Sequence, residues 1–243
     1  MKSNRITSAG HSSNTLVSRS QFKPILFSTP MVQALLNGTK RQTRRLMPEW
    51  CNDYSEVELV RDPELCDPKA AEWNEIKPKQ FKGLFACFDK GEEHLKCKYD
   101  IGDILWVRET WNCISHLNPT NTEFEYYYKA DEGNEFQRWK PSIFMPKEAC
   151  RLFLEVTEIR PQKLQRITPE DAQAEGIEHL GGDIWKDYMN KKVFPEFMYG
   201  STLTRTQSFQ SLWEKINGVE SWESNPFVWA YSFNIVECPQ GFC

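Results

Sequence analysis

The residues best suited to chemistry lie in one short basic stretch, Lys40-Arg41-Gln42-Thr43-Arg44-Arg45. Four of these side chains are cationic, in a chain whose formal net charge is -4. Clustered charge of this kind is ordinarily a solvated basic turn. It can also be an anion or nucleotide site in which the Lys40 amine or the Thr43 hydroxyl does chemistry. The residue types alone leave both interpretations open.

Local signals predict a helix before this stretch and a strand after it. Pro30 at the first helical position, with Thr29 as the N-cap, favours a helix over residues 30–36, and Gly38 favours its end. The residues after Gly38 then form a tight exit from the helix. This exit carries the cationic side chains into a strand over residues 43–47.

Composition and charge limit the possible classes of protein. With 243 residues, 40% of them apolar, the chain can build one large domain or two small ones. Its mild acidity argues against a protein that coats nucleic acid non-specifically, but it allows a local basic site for one nucleotide. No signal peptide and no apolar run of membrane-spanning length occur, so we expect a cytoplasmic protein without a membrane partner. The eight cysteines contain no C-x-x-C pair, which predicts free thiols rather than a zinc site.

Apolar periodicity and capping residues predict the remaining elements. The expected strands are residues 24–28, 43–47, 104–109, 125–130, 151–159 and 228–236. The expected helices are residues 30–36, 169–175 and 208–217. The other expected segments are a disordered arm at 1–22, irregular insertions at 49–100 and 178–207 that pack around the mouth of the fold, and a tail at 238–243. This order predicts an α+β fold with a small curved sheet or barrel.

Several motifs, in order along the chain, resemble ASCH domains, which are PUA-like β-barrel proteins linked to RNA and modified nucleotides. Residues 38–44 resemble the family's G-x-K-x-x-T signature, and Gly102-Asp103-Ile104-Leu105 resembles its G-D-x-L strand entrance. Residues 167–176 look like its acidic helix, while 139–146 and 225–229 resemble segments of its larger phage- and prophage-type members. The resemblance covers residues 23–237 and implies a single PUA-like β-barrel domain with the two insertions.

The resemblance also implies an activity. The smallest bacterial members of the family remove the acetyl group from N4-acetylcytidine with a threonine nucleophile, a lysine base and a glutamate proton donor, without metal or cofactor. The matching positions here are Thr43, Lys40 and Glu175. Lys40 can take a proton only if its pKa falls, which the neighbouring arginines would favour as like charges. Glu175 can donate a proton if burial raises its pKa.

Further residues are candidates for binding rather than chemistry. Arginines can hold a phosphate or an oxyanion, aromatic rings can stack on a base, and Glu109 is either a second candidate carboxylate or the partner of an arginine. The candidates are Arg41, Arg44, Arg45, Arg108, Glu109, Trp111, Tyr128 and Trp139.

Different functions therefore remain open, each with a nucleoside, nucleotide or RNA as the partner. The first is an amidohydrolase of a modified pyrimidine nucleoside. The second is a non-catalytic module that binds RNA or a modified nucleotide through the same pocket. The third is a ribonuclease, although no recognisable pair of acid-base histidines supports it.

Overall fold

A five-stranded sheet with helices packed against both of its faces forms the centre of the protein. The computed structural model describes residues 22–61, 83–89, 93–117, 122–131, 133, 136–189 and 203–242. Its strands are β1 (Phe22–Leu26), β2 (Gln42–Leu46), β3 (Val57–Arg61), β4 (Leu84–Phe88), β5 (Glu93–Lys96), β6 (Ile104–Arg108), β7 (Trp111–Leu117), β8 (Thr122–Tyr128), β9 (Phe153–Lys163), β10 (His179–Gly181), β11 (Ile184–Trp185) and β12 (Phe227–Val236). Its α-helices are α1 (Thr29–Leu36), α2 (Pro169–Ala174) and α3 (Arg205–Asn217).

The central sheet has the strand order β1-β6-β9-β12-β2. β1 runs parallel to β6, and every other neighbouring pair in this sheet is antiparallel. The mixed helix and strand content confirms the predicted α+β class, but the hydrogen-bonded strands do not close into the predicted barrel in the described part of the chain. β1 and β2 remain edge strands, bridged by a side chain: Nη2 of Arg45 donates to the carbonyl oxygen of Leu26 at 2.8 Å.

Both faces of β12 are covered, which explains its nearly continuous apolar sequence. Trp229 and Tyr231 point into the main core, together with Leu35 from α1. Val228 points the other way, into a smaller core with Phe209 of α3 and the residues around α2. Because fully burying one such side chain contributes about 1.5–3 kcal/mol, this strand fixes both the sheet and the position of the helices.

Residues 49–100 are not the irregular insertion that was predicted. Within the described residues of this stretch, β3, β4 and β5 form a three-stranded antiparallel sheet. β4 is buried along its whole length, and the Phe88 ring meets the Phe227 ring edge-on at a centroid distance of 5.4 Å. The stretch therefore belongs to the main core.

The strand expected at residues 125–130 also lies elsewhere than predicted. It is observed as β8 and pairs only with β7, so the two strands form a separate ribbon outside the central sheet. Residues 1–21, most of the predicted disordered arm, lie outside the described residues, while Phe22 belongs to β1. In the predicted tail, the Phe242 ring packs edge-on against Phe153 at 4.7 Å.

Capping residues account for the helix limits. α1 begins one residue earlier than predicted, with Ser28 as its N-cap. At α2 the Thr168 hydroxyl accepts a hydrogen bond from the Asp171 backbone N–H at 3.1 Å, which confirms the predicted cap. α3 begins earlier than predicted, after a capping box made by Thr204 and Gln207. No described helix combines the length and apolar character needed to cross a membrane.

Two thiols, one buried and one half-buried, and a buried phenol should make the fold sensitive to alkali. Burial raises the pKa of Cys51 and of Cys150 to about 11, and that of Tyr99 to about 12. Above pH 9 the unfolded chain loses thiol protons that the folded protein keeps, so this contribution to stability is present below pH 9 and is lost as the pH rises towards 11. We expect the midpoint of urea unfolding to fall between pH 9 and 11. Cys51→Ala should weaken this decline, whereas the exposed-site control Cys238→Ala should leave it unchanged.

Candidate functional site

Lys40 and Glu175 meet although 135 residues separate them in the sequence. The Lys40 amine donates to the Glu175 carbonyl oxygen at 2.7 Å and to its carboxylate oxygen Oε2 at 3.0 Å. Both residues are buried, with exposed fractions of 1% and 6%. The end of α2 makes this contact possible, because Gly176 has φ +85° and a Cβ there would lie 2.9 Å from Cβ of Lys40. The structure thus joins two of the three predicted catalytic residues.

The environment of Lys40 makes its ammonium group easier to deprotonate than that of an ordinary lysine. Burial lowers the pKa of Lys40, and the positive charges of Arg45 and Arg44 add smaller effects in the same direction. The Glu175 carboxylate opposes the shift without cancelling it. The predicted lowering is therefore present, but its main cause is burial rather than the neighbouring arginines. Once deprotonated, the amine can keep its two N–H groups on the Glu175 carbonyl oxygen and Oε2 and still have its lone pair free.

Arg44 is held by the acids of α2. Its Nη1 donates to Oε1 of Glu175 and its Nη2 to Oδ2 of Asp171, both at 2.9 Å. Its side chain is only 1% exposed, and its guanidinium also lies 5.6 Å from the Phe209 ring centroid. Asp171 receives a second ion pair from Arg160 at 2.8 Å. Arg44 is therefore committed to a charge-balanced structural network, whereas sequence analysis had made it a ligand-binding candidate.

Thr43 lies between the main core and an open cleft at the surface. It faces Tyr231 across the β2–β12 ladder and is 0% exposed, yet it also lines the cleft. Its hydroxyl oxygen Oγ1 has no hydrogen-bond partner among the described residues, so no hydrogen bond joins it to the Lys40 amine. A buried hydroxyl without a partner costs about 1–3 kcal/mol. Its presence calls for an explanation other than stability.

Strand alternation divides the basic stretch into two sets of side chains. Within β2, Gln42 and Arg44 face the acids of α2, and Thr43 and Arg45 face the other side. Arg45 has no carboxylate partner in the described chain; it bonds only to the Leu26 carbonyl and lies over the Phe27 ring at 5.5 Å. Arg41 is exposed and has no side-chain partner among the described residues.

The cleft that exposes this region has a volume of about 2280 Å³. Its lining includes the end of α1, the basic stretch, the end of α2, part of α3 and the hairpin formed by β10 and β11. Part of the predicted second insertion, including Trp185, thus lines the cleft. The described residues of the predicted first insertion do not line it, while residues 62–82 and 90–92 of that stretch lie outside the described residues.

The other predicted binding residues lie outside the cleft lining. Glu109 is buried and accepts two hydrogen bonds from Arg151, at 2.9 and 3.0 Å. Burial raises the pKa of Glu109, and the Arg151 bonds oppose the shift, so the arginine-pairing alternative describes this residue. The remaining candidates have partners elsewhere. Arg108 donates a hydrogen bond to the Ile143 carbonyl, and the Lys140 amine lies over the Trp111 ring. The Tyr128 hydroxyl donates to the Ala149 carbonyl and its ring contacts the Arg151 guanidinium, while the Trp139 ring packs against Phe136.

No protein-family model, curated protein or solved structure matches this chain. The resemblance to ASCH domains therefore rests on the sequence motifs alone, and the activity that it implies is a proposal.

Sequence analysis missed two groups of site residues. Asp171 and Gln42 complete the Arg44 network, and Phe209 and Trp213 of α3 form an apolar part of the cleft. In the sequence, Asp171 is recognisable only as an acidic residue in the first turn of a helix. Its partner Arg44 lies 127 residues away, so no local pattern connects the two. The amphipathic pattern of α3 predicted a buried face without saying which element it would meet. Among the described residues, no group of three His, Cys, Asp or Glu side chains is arranged to hold a metal ion.

Proposed function

We propose that this protein is a PUA-like, ASCH-type amidohydrolase that removes an acyl group from the exocyclic amine of a modified pyrimidine nucleoside or nucleotide, such as N4-acetylcytidine. The observation that supports this most is the buried Lys40 amine, held by Glu175 in the cleft that Thr43 also lines. A buried lysine whose pKa is lowered is a candidate general base.

In the proposed reaction Lys40 accepts the hydroxyl proton of Thr43, and Oγ1 attacks the acyl carbonyl carbon. The resulting tetrahedral intermediate collapses, the bond to the exocyclic nitrogen breaks, and that nitrogen takes up a proton. Glu175 Oε2, 3.0 Å from the Lys40 amine, relays the proton between the lysine and the leaving nitrogen. Water then hydrolyses the threonine ester, releasing the carboxylic acid and restoring the Thr43 hydroxyl.

A second candidate is a binding module that uses the same cleft without chemistry. It is favoured by the missing hydrogen bond between Thr43 Oγ1 and Lys40, and by the fact that both carboxylate oxygens of Glu175 already accept hydrogen bonds. The enzyme requires Thr43 to reach the Lys40 amine when substrate is bound, because catalytic hydrogen bonds often tighten only in the complex. The binding module requires no such change.

The deciding experiment incubates the protein with N4-acetylcytidine and follows cytidine by chromatography across pH 6 to 10. We expect cytidine release, with kcat rising with pH through the lowered pKa of Lys40, that is, below 10.5. Lys40→Met should reduce kcat by a factor of about 10²–10⁴, as expected for the loss of a general base. The exposed-lysine control Lys129→Met should retain full activity. Release of no cytidine or related amine from acylated nucleosides would leave the binding module as the function.

A further inference from the structure

A cysteine and a lysine lie in contact beside the ribbon of β7 and β8, outside the lining of the cleft. The Lys140 amine nitrogen Nζ is 3.0 Å from the Cys113 sulfur Sγ. Two other thiols have different partners: Cys97 lies against the Tyr231 hydroxyl at 3.5 Å, and Cys150 lies against backbone carbonyl oxygens. At Cys113, by contrast, the sulfur has a nucleophilic nitrogen as its neighbour.

Several interactions on both sides of the pair hold this contact in place. The Lys140 backbone N–H donates to the Trp111 carbonyl at 2.8 Å, and the Trp111 N–H donates to the Lys140 carbonyl at 3.2 Å. The Lys140 amine also lies 4.7 Å from the centroid of the Trp111 ring. The side-chain amide of Asn112 donates to the Arg138 carbonyl at 2.9 Å. The backbone around Lys140 is therefore fixed against β7, and the lysine side chain is directed along this strand.

The pair is accessible to small reagents. Cys113 is half-buried at the edge of a small apolar cluster formed by Trp111, Met145 and Ala149, and Lys140 is exposed. The thiolate is the nucleophilic form of cysteine, and the Lys140 ammonium is placed to balance its charge. A cysteine oxidised to sulfenic acid condenses with a nearby thiol to a disulfide, or with a nearby nitrogen to a sulfenamide. Here the neighbouring nitrogen is already in contact with the sulfur.

We propose that Cys113 and Lys140 form a peroxide-responsive modification site, in which a reversible sulfur–nitrogen bond closes between their side chains. The sulfur attacks one oxygen of hydrogen peroxide and the O–O bond breaks; the thiol becomes a sulfenic acid, and the second oxygen leaves as water with the thiol proton. Sulfur is thereby oxidised by two electrons and the peroxide is reduced. The Lys140 nitrogen, after releasing its ammonium proton to solvent, then attacks the same sulfur. The S–O bond breaks, and the hydroxyl group leaves as water with one amine proton.

The bond would tie β7 covalently to the chain that leads into β9, and a reducing thiol would reopen it. The thiol attacks the sulfur, the S–N bond breaks, and the Lys140 amine is recovered with a proton from solvent. A second thiol then reduces the mixed disulfide and restores Cys113. This modification uses none of the residues of the candidate site and does not depend on the proposed function.

The test treats the folded protein with hydrogen peroxide, blocks the remaining thiols and analyses peptides cleaved after glutamate by mass spectrometry. Cleavage places Cys113 in residues 110–123 and Lys140 in residues 136–148, a peptide without cysteine. We expect these peptides to appear as a joined pair, about 2 Da lighter than their sum, because the bond replaces one S–H and one N–H hydrogen. Since the second peptide has no cysteine, the pair cannot be a disulfide. Dithiothreitol should separate it, and protein oxidised in urea should not form it.

Cys113→Ser and Lys140→Arg should each abolish the joined pair. Lys140→Arg keeps a cation beside Trp111 but replaces the amine by a guanidinium that does not lose its proton. Its Cys113 should still be oxidised, which trapping of the sulfenic acid with dimedone measures. The control Lys147→Arg changes the other lysine of the same peptide and should leave the yield unchanged. Oxidation of Cys113 without a joined pair, no oxidation of Cys113, or a pair that persists in Lys140→Arg would overturn the proposal.

Discussion

Replacing Thr43 by valine should abolish amide hydrolysis and at the same time raise the stability of the protein. Valine has the shape of threonine without the hydroxyl, so the proposed nucleophile is lost while the packing against Tyr231 remains. Loss of a nucleophile should lower kcat by about 10³ or more. Because Oγ1 is buried without a partner, its removal should increase the free energy of unfolding by about 1 kcal/mol.

Chromatographic assays and urea titrations of the same preparations check both parts of this prediction. Thr43→Ser keeps a hydroxyl and should retain part of the activity. Thr157→Val, at an exposed position in β9 of the same sheet, should leave activity intact. Retained activity in Thr43→Val would exclude the threonine nucleophile. A marked loss of stability in that variant would mean that the hydroxyl has a structural role.

The second large effect is expected at Gly176, where the backbone turns from α2 towards Lys40. An added Cβ would approach Cβ of Lys40 at 2.9 Å and Cβ of Ala34 at 3.0 Å, in a left-handed conformation with φ +85°. The conformation costs about 1–2 kcal/mol for alanine, and the overpacking costs about 1–3 kcal/mol more. Gly176→Ala should therefore lower the free energy of unfolding by about 3 kcal/mol and displace Lys40.

Gly102 provides a matched control for this substitution. Its φ of +86° is nearly the same, but a Cβ there would meet nothing within 4 Å. Gly102→Ala should therefore show only the conformational cost, about 1–2 kcal/mol, and should keep its activity. Equal losses of stability in the two variants, measured by urea unfolding, would show that the close approach to Lys40 does not limit this site.

The strands of the central sheet and helix α2 could be predicted from the sequence, because the patterns that indicate them are local. Thr168 with Pro169 located α2, and alternating side chains located β9 and β12, with limits wrong by only a few residues. β4 was missed although Leu84-Phe85-Ala86-Cys87-Phe88 is a continuous apolar run, because the acidic and proline-rich surroundings dominated the interpretation. The pairing of β8 with β7 instead of the sheet depends on tertiary packing, which no local pattern contains.

For the candidate site, the sequence pointed to a stretch that lines the cleft, but it did not predict that Arg44 pairs with the acids of α2. The Lys40–Glu175 pair was expected from the family resemblance, and no physical signal in the chain connects positions so far apart. The neutralisation of Arg44 by α2 is likewise a tertiary effect. The division of the arginines between two sides of β2 was, in contrast, available from strand periodicity alone, once a strand was predicted there.

Because alternate side chains of β2 lie on opposite sides of the sheet, the length of the turn between α1 and β2 determines which arginine lies on which side. A one-residue shift of β2 against β12 exchanges all side chains between the two sides of the sheet. If Thr39 were deleted and β2 moved by one residue against β12, Arg45 would face the acids of α2 and Arg44 would face the other side. Point substitutions in the turn should therefore be better tolerated than insertions or deletions, because the number of residues after Gly38 decides which arginine pairs with the acids of α2 and which lies on the other side.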